Sequence, residues 1–217
     1  MANNVLNKKF RYVYFNATLY IIGLNLLVYL FLHFTDIRIN NMPLVYWLSL
    51  VPAWMDKFYI WQYFTYMFVH QDFFHILFNM YVLFMFGTML ERSLGSYEFI
   101  CFYVVCGVLG GLVGGVVYRL TGMANIVVYG ASGAVYALMF LASVMAPNTR
   151  VLLFFFIPIR LGMVILIFMA IELVGVLTQA SGVSYVVHLS SMVIAWIYCL
   201  ARFRISPFKV WKSLFRR

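Results

Sequence analysis

The sequence predicts an all-α membrane protein, a bundle of six transmembrane helices with a long interfacial loop between the first two. Of its 217 residues, 65% are hydrophobic and only 10% are charged, whereas soluble domains are about 45–50% apolar and about 25% charged. This composition excludes a soluble globular domain, and it also excludes disorder, because disordered chains lack such apolar mass. Apolar runs of membrane-spanning length and the placement of the charges support the same fold class.

The charges are concentrated at the two ends of the chain. The net charge is +9, from 15 basic and 6 acidic residues. In a soluble protein such an excess would suggest a nucleic-acid partner, but Lys and Arg beside apolar runs mark cytoplasmic flanks of membrane helices. We therefore expect no nucleic acid, two cytoplasmic termini and an even number of crossings. The nine terminal basic residues are Lys8, Lys9, Arg11, Arg202, Arg204, Lys209, Lys212, Arg216 and Arg217.

Six apolar segments approach the roughly 20 residues that a spanning helix needs. With six crossings, Arg92 and Arg150 lie in cytoplasmic loops, and the external loops hold only Arg38, Lys57 and Arg119. A very short turn is expected between the fourth and fifth segments. The six predicted helices cover residues 12–34, 73–90, 97–120, 132–145, 151–177 and 184–200.

The segment of residues 35–72, between the first two helices, is too polar to span and too aromatic for a free linker. Trp47, Trp54 and Trp61 recur in it every seven residues, and Trp favours the membrane–water boundary. We expect it to lie in the interface, partly helical and broken by Pro52; an ordinary extracellular loop is the alternative. We expect one domain over residues 12–201, flanked by cytoplasmic tails at residues 1–11 and 202–217.

The fourth predicted helix is too short to cross alone, since its 14 residues span about 21 Å against a hydrocarbon core of about 30 Å. Its start therefore lies inside the membrane, where irregular backbone must line a cavity or be buried. Ser132 lies at this start between Gly130 and Gly133. Glycines permit close backbone approach, and helix N-terminal N–H groups can stabilise a developing anion.

His188 is the candidate base for Ser132, because it lies about one turn inside the outer end of the sixth helix, at similar depth. Ser191 and Ala195 follow it as a small-residue pair that lets helices approach closely. The alternative is a structural histidine. No carboxylate clearly joins the pair, since Glu172 is the only acid deep in a helix, so a Ser-His dyad is favoured over a triad.

His75 and Asn79 are four residues apart and share one face of the second helix. Together they could stabilise an oxyanion beside the Ser132 N–H, although ordinary hydrogen bonds between helices are the alternative. The three cysteines show no spacing typical of metal sites or disulfides. No metal and no cofactor are expected.

Together these motifs resemble the rhomboid family of intramembrane serine proteases in its basic six-helix form. The resemblance covers residues 59–195. It rests on the order and spacing of a few groups: His70, His75 with Asn79, Gly87 with Glu91 and Gly95, Gly130 to Gly133, and His188.

The resemblance implies that Ser132 is the nucleophile and His188 the general base, with His75 and Asn79 in the oxyanion hole. It also implies that Tyr136 stacks on His188 and that Glu91 is a structural acid. Two departures stand out. Ser190 and Ser191 replace a usual Gly-Gly, which suggests a wider approach of the fourth and sixth helices, and Gln62 replaces an arginine after Trp61, which leaves the anchoring of the external loop open.

By this resemblance the chain is expected to be an endopeptidase that cleaves transmembrane helices of membrane-protein substrates near the outer boundary. We expect it in a bacterial plasma (inner) membrane, with the lipid bilayer and these substrates as partners and an active site that opens outward. Residues 179–182 are a candidate lid, with an ordinary tight turn as the alternative. A catalytically silent relative that binds membrane helices as a chaperone or adaptor is the alternative; a channel or transporter lacks a readable polar pathway.

Overall fold

Six apolar helices dominate the computed structural model, which describes residues 10–153, 156–178 and 184–215. Four are long and apolar enough to cross a membrane, and two are shorter. The fold class, an all-α membrane bundle, is confirmed. The helices are α1 (Ala17–Phe34), α2 (Phe73–Leu94), α3 (Ser96–Leu120), α4 (Ser132–Met145), α5 (Leu161–Leu177) and α6 (Tyr185–Phe203).

The short helix α4 lies at the centre of the bundle. Eleven of its fourteen residues are buried, whereas only three of the eighteen residues of α1 are buried. Helices α3 and α6 pack against each other and both pack against α4. Because α4 is enclosed by protein, its N-terminus can begin at membrane depth without exposing backbone groups to lipid.

Glu91, at the end of α2, secures the start of α1. Its carboxylate is fully buried and accepts hydrogen bonds from the Ala17 and Thr18 N–H groups at 2.5 and 2.9 Å. The Thr18 and Ser96 hydroxyls donate to the same carboxylate at 2.7 and 2.5 Å. Negative charge at a helix N-terminus is stabilising, and these contacts give Glu91 a structural position far from Ser132.

The external segment between α1 and α2 is folded and partly helical. It contains the strands β1 (Arg38–Ile39) and β2 (Met42–Pro43), short helices at Leu44–Leu48 and Gln62–Thr65, and 3₁₀ turns at Pro52–Lys57 and Tyr66–Phe68. Pro52 begins its turn, where the missing N–H is not needed. The rings of Trp47, Trp54 and Trp61 gather around Tyr59, at centroid distances of 5.4, 5.9 and 4.9 Å from it.

Gln62, which stands where an arginine is usual after Trp61, anchors the external segment to its own backbone. Its side chain is 2% exposed. The amide oxygen accepts from Val51 N–H at 3.2 Å, and the amide nitrogen donates to the carbonyls of Tyr46 and Trp47 at 3.2 and 3.3 Å.

The predicted start of the fifth helix at Val151 is wrong, and so is the very short turn before it. Strands β3 (Arg150–Leu153) and β4 (Ile157–Arg160) form an antiparallel hairpin, and α5 begins only at Leu161. Pro158 lacks an amide hydrogen and disfavours helical backbone at Ile157. The continuous apolar run of residues 151–157 concealed this boundary, although Pro158 and Arg160 lie just before it.

The helix directions divide the molecule into two ends. The basic end holds the starts of α1, α3 and α5 and the ends of α2, α4 and α6. There Ser96 N–H donates to Val13 O at 2.7 Å, and the Arg202 guanidinium lies 2.6 Å from the Glu98 carboxylate. The loop end holds residues 35–72 and the opposite helix termini, including the start of α4.

Candidate active site

The backbone before Ser132 is held in place by the external segment. Leu50 and Val128 exchange two backbone hydrogen bonds of 2.9 Å, and Gly130 N–H donates to Tyr66 O at 2.9 Å. His70 Nε2 accepts from Ala131 N–H at 3.3 Å. These hydrogen bonds fix residues 128–131, and Ser132 follows them, half-buried, as the first residue of α4.

Gly130 is required by the geometry of this approach. Its φ of +114° lies in a region that other residues rarely adopt. A Cβ at this position would lie 2.7 Å from His75 Nε2. The glycine therefore allows the His75 ring to pack directly against the chain that leads into Ser132.

His188 on α6 is hydrogen-bonded to Ser132, with 2.8 Å between Nε2 and Ser132 Oγ. The imidazole is 5% exposed. The Tyr136 ring, one turn after Ser132, stacks on it at a centroid distance of 4.4 Å and an interplanar angle of 18°. The structure thus brings together the three residues that the sequence singled out on α4 and α6.

The close contact of α6 with α3 and α4 comes from glycines on the neighbouring helices. A Cβ at Gly133 would lie 2.8 Å from Ser191 Oγ, and one at Gly110 would lie 1.9 Å from it. Ser191 and Ala195 are fully buried. These helices therefore pack closely with Ser190 and Ser191 in place, because small residues lie opposite α6 as well as on it, and an approach wider than with Gly-Gly stays a prediction.

A carboxylate does join this pair, contrary to the expectation. Glu172 on α5 is 2% exposed, and its Oε2 lies 2.9 Å from His188 Nδ1. Ser132, His188 and Glu172 therefore form a continuous hydrogen-bonded chain across three helices. The sequence did show Glu172 as the single acid deep in an apolar helix. Its separation of 16 residues from His188 along the chain did not indicate contact.

His75 and Asn79 line the same cavity as Ser132 and His188, a space of about 550 Å³ at the loop end. The Asp72 side chain accepts from His75 N–H at 2.9 Å and caps the start of α2. The Asn79 amide nitrogen donates to His75 O at 2.8 Å. Both side chains flank the reaction space, and their role toward an oxyanion stays a prediction.

The arrangement is suited to nucleophilic catalysis. A hydroxyl bonded to one imidazole nitrogen, with a carboxylate on the other nitrogen, is the pattern by which proteins activate serine. The first N–H groups of α4 are free of intrahelical partners by position. The candidate lid at residues 179–182 lies outside the described residues.

Comparison with known proteins identifies the family. The family model of the rhomboid domain matches residues 57–205, more than two thirds of the chain. The rhomboid protease GlpG of Haemophilus influenzae is 35% identical over 80 residues, which cover 37% of this chain and 38% of the relative.

The proteins of the same name from Salmonella choleraesuis and Salmonella newport are 35% and 34% identical over 101 residues, or 46% of this chain and 34% of each relative. The matched region thus spans little more than a third of the length of these relatives. Since the domain match covers most of the helices and the whole cavity, this integral membrane protein belongs to the rhomboid family.

Proposed function

We propose that the chain is an intramembrane serine protease that cleaves transmembrane helices of membrane proteins near the outer boundary of the bilayer. The observation that carries the proposal is the 2.8 Å contact between Ser132 Oγ and His188 Nε2 inside the cavity. The name of the GlpG relatives, rhomboid protease, supports the same class of reaction.

His188 Nε2 takes the Ser132 proton as the hydroxyl oxygen attacks the scissile carbonyl, and later gives that proton to the leaving amine. The oxyanion is stabilised by the Ser132 N–H with the side chains of His75 and Asn79. Water then hydrolyses the acyl-enzyme by the same route. The stack of Tyr136 on His188 limits rotation of the imidazole during both steps.

The substrate helix reaches the cavity sideways, between α2 and α5. Residues of both helices line the cavity: His75 and Asn79 from α2, and Gly175 and Val176 from α5. The outer faces beside it are apolar and exposed, with Phe78 and Val174 56% and 57% exposed, so they suit contact with lipid or with an apolar helix. We place the protein in a bacterial inner membrane, with both termini cytoplasmic and the cavity facing outward.

The decisive test is cleavage of a transmembrane reporter by the purified protein in detergent. The reporter carries small residues near the outer boundary of its helix. Ser132→Ala should lower kcat at least about 10³-fold, because the nucleophile is lost. Ser143→Ala is the matched control: it lies on the same helix, is buried, and donates only to Phe140 O at 2.6 Å, so its cleavage rate should stay within a few-fold.

Labelling with a fluorophosphonate probe tests the nucleophile without a peptide substrate. We expect the wild type and Ser143→Ala to be labelled and Ser132→Ala not to be, with labelling of His188→Ala slowed strongly. Reporter cleavage that survives Ser132→Ala would refute the proposal. A folded wild type that neither cleaves nor reacts would instead support the silent helix-binding alternative.

A further inference from the structure

We propose that Glu172 is a positioning residue for His188, which extends the proposed Ser-His pair to a Ser-His-Glu system and rests on the proposed function. The carboxylate Oε2 lies 2.9 Å from His188 Nδ1, on the side of the ring opposite Ser132. Glu172 and His188 are 2% and 5% exposed, so the contact is buried inside the protein.

The proposed role of His188 as the base requires one tautomer of its ring, and the contact with Glu172 favours that tautomer. A neutral imidazole carries one N–H, and its other nitrogen accepts. Nε2 must accept in order to take the Ser132 proton, so the hydrogen belongs on Nδ1. An ionised Glu172 can only accept and therefore selects this tautomer, and the bond also fixes the plane of the ring.

The carboxylate also acts after the proton moves. When the Ser132 proton passes to Nε2, the ring becomes an imidazolium that holds both hydrogens, and Glu172 remains ionised as its counter-charge. No proton is transferred to Glu172 in this step. The contact therefore contributes more in the transition state than in the resting enzyme, and such contacts raise kcat rather than lower KM.

The buried position of Glu172 indicates that its carboxylate has a function. A carboxylate inside a membrane helix is costly, and such residues face the protein interior and pair with a partner. Tyr118 of α3 and Tyr136 of α4 also face this carboxylate, and both are neutral phenols at pH 7. The titratable nitrogen that lies 2.9 Å from its Oε2 is Nδ1 of His188 on α6.

The test compares Glu172→Gln with the wild type in the full-length protein, by steady-state cleavage of the transmembrane reporter per folded molecule. The amide has the same shape but no charge, and its NH₂ group can bond the wrong tautomer. We expect kcat to fall about 10²- to 10⁴-fold, as for a triad that loses its carboxylate, while KM changes less than about threefold. Glu172→Asp keeps the charge on a shorter side chain, so its kcat should lie between those of the wild type and Glu172→Gln.

Glu98→Gln is the matched control. Glu98 is a buried acid at the basic end, where it bonds Tyr198 and Arg202 at 2.6 Å each. Its loss should lower the unfolding midpoint but leave kcat per folded molecule unchanged. If Glu172→Gln behaved in the same way, with a lower midpoint and an unchanged kcat, Glu172 would be only a tie between α5 and α6 and the inference would be overturned.

A spectroscopic readout covers the case in which the variants fold poorly. In protein labelled with ¹⁵N-histidine, the His188 signals, identified by their loss in His188→Ala, should show the hydrogen on Nδ1 in the wild type. Hydrogen on Nε2 alone would overturn the inference. A folded wild type that neither cleaves the reporter nor reacts with the fluorophosphonate would refute the proposed function itself. A cleaving wild type with an unaffected Glu172→Gln would refute only the role of Glu172.

Discussion

His70 is the side chain that couples the external segment to the residue before the candidate nucleophile. Its Nε2 accepts the Ala131 N–H, so this nitrogen must be unprotonated. Burial, with a smaller contribution from neighbouring His75, lowers the pKa of His70 to about 4. The folded protein therefore holds a neutral ring at a pH where the unfolded chain, with an ordinary histidine pKa of about 6.5, already takes up a proton.

This difference predicts a pH-dependent loss of stability. Because the folded pKa is the lower one, the contribution of His70 is fully present above pH 6.5 and is lost as the pH falls toward 4, by roughly 3 kcal/mol in total. His70→Gln keeps an acceptor but does not titrate. Unfolding free energies measured in mixed micelles from pH 7.5 to 4.5 should fall less steeply for this variant. Parallel curves for the two proteins would contradict the assignment.

Individual site residues could be predicted from the sequence where residue type and depth in the membrane were enough to identify them. Ser132 and His188 were each conspicuous as polar groups at one level of an apolar bundle, and they meet at 2.8 Å. Glu172 satisfied the same criterion of a polar group in an apolar helix. Its contact depends on how α5 rotates against α6, which the sequence spacing does not contain.

Among the helices, the α3–α6 contact determines where His188 can lie. Ser191, one turn after His188, fits against Gly110 so closely that an added Cβ would lie 1.9 Å from its Oγ and 2.9 Å from its Cα. Rotating the Ser191 hydroxyl away would relieve the clash with Oγ but not the one with Cα, because Cα is part of the backbone. The glycine therefore sets the distance between the two helix axes.

Gly110→Ala should accordingly push α6 away from α3. We expect a loss of about 1–3 kcal/mol in unfolding free energy, as for other overpacked cores, together with slower fluorophosphonate labelling because His188 moves with α6. Gly23→Ala is the control, since a Cβ on this residue of α1 meets nothing within 4 Å. It should be neutral or stabilising by up to about 1 kcal/mol. Equal behaviour of the two variants would refute this account of the packing.

Helix boundaries were predictable where a local signal ends the helix. The limits of α4 follow from Gly130 to Gly133 at one end and Pro147 at the other, and they match the structure. The β3–β4 hairpin was missed because residues 151–157 are continuously apolar and read as helix by composition alone. Pro158 and Arg160, just before Leu161, were the local cues to the true start, and length arguments for membrane helices gave them too little weight.

For the whole molecule, the two ends differ strongly in charge. Among the described residues, the loop end has Arg38, Lys57 and Arg119, balanced by Asp36, Asp56 and Asp72. Arg38 and Arg119 form ion pairs with Asp36 and Asp56. The basic end has two acids, Glu91 and Glu98, and eight basic residues: Arg11, Arg92, Arg150, Arg160, Arg202, Arg204, Lys209 and Lys212.

This asymmetry predicts the orientation in the membrane, because Lys and Arg are retained on the cytoplasmic side. The basic end should face the cytoplasm and the Ser132 cavity the outside. In a bacterial host, alkaline phosphatase fused after Gly122, at the loop end, should be active, and the same enzyme fused after Arg217 should be inactive. Green fluorescent protein fused after Arg217 should fluoresce. Active phosphatase at the C-terminus would mean that the cavity opens to the cytoplasm, and substrates would then be cut at the inner boundary instead.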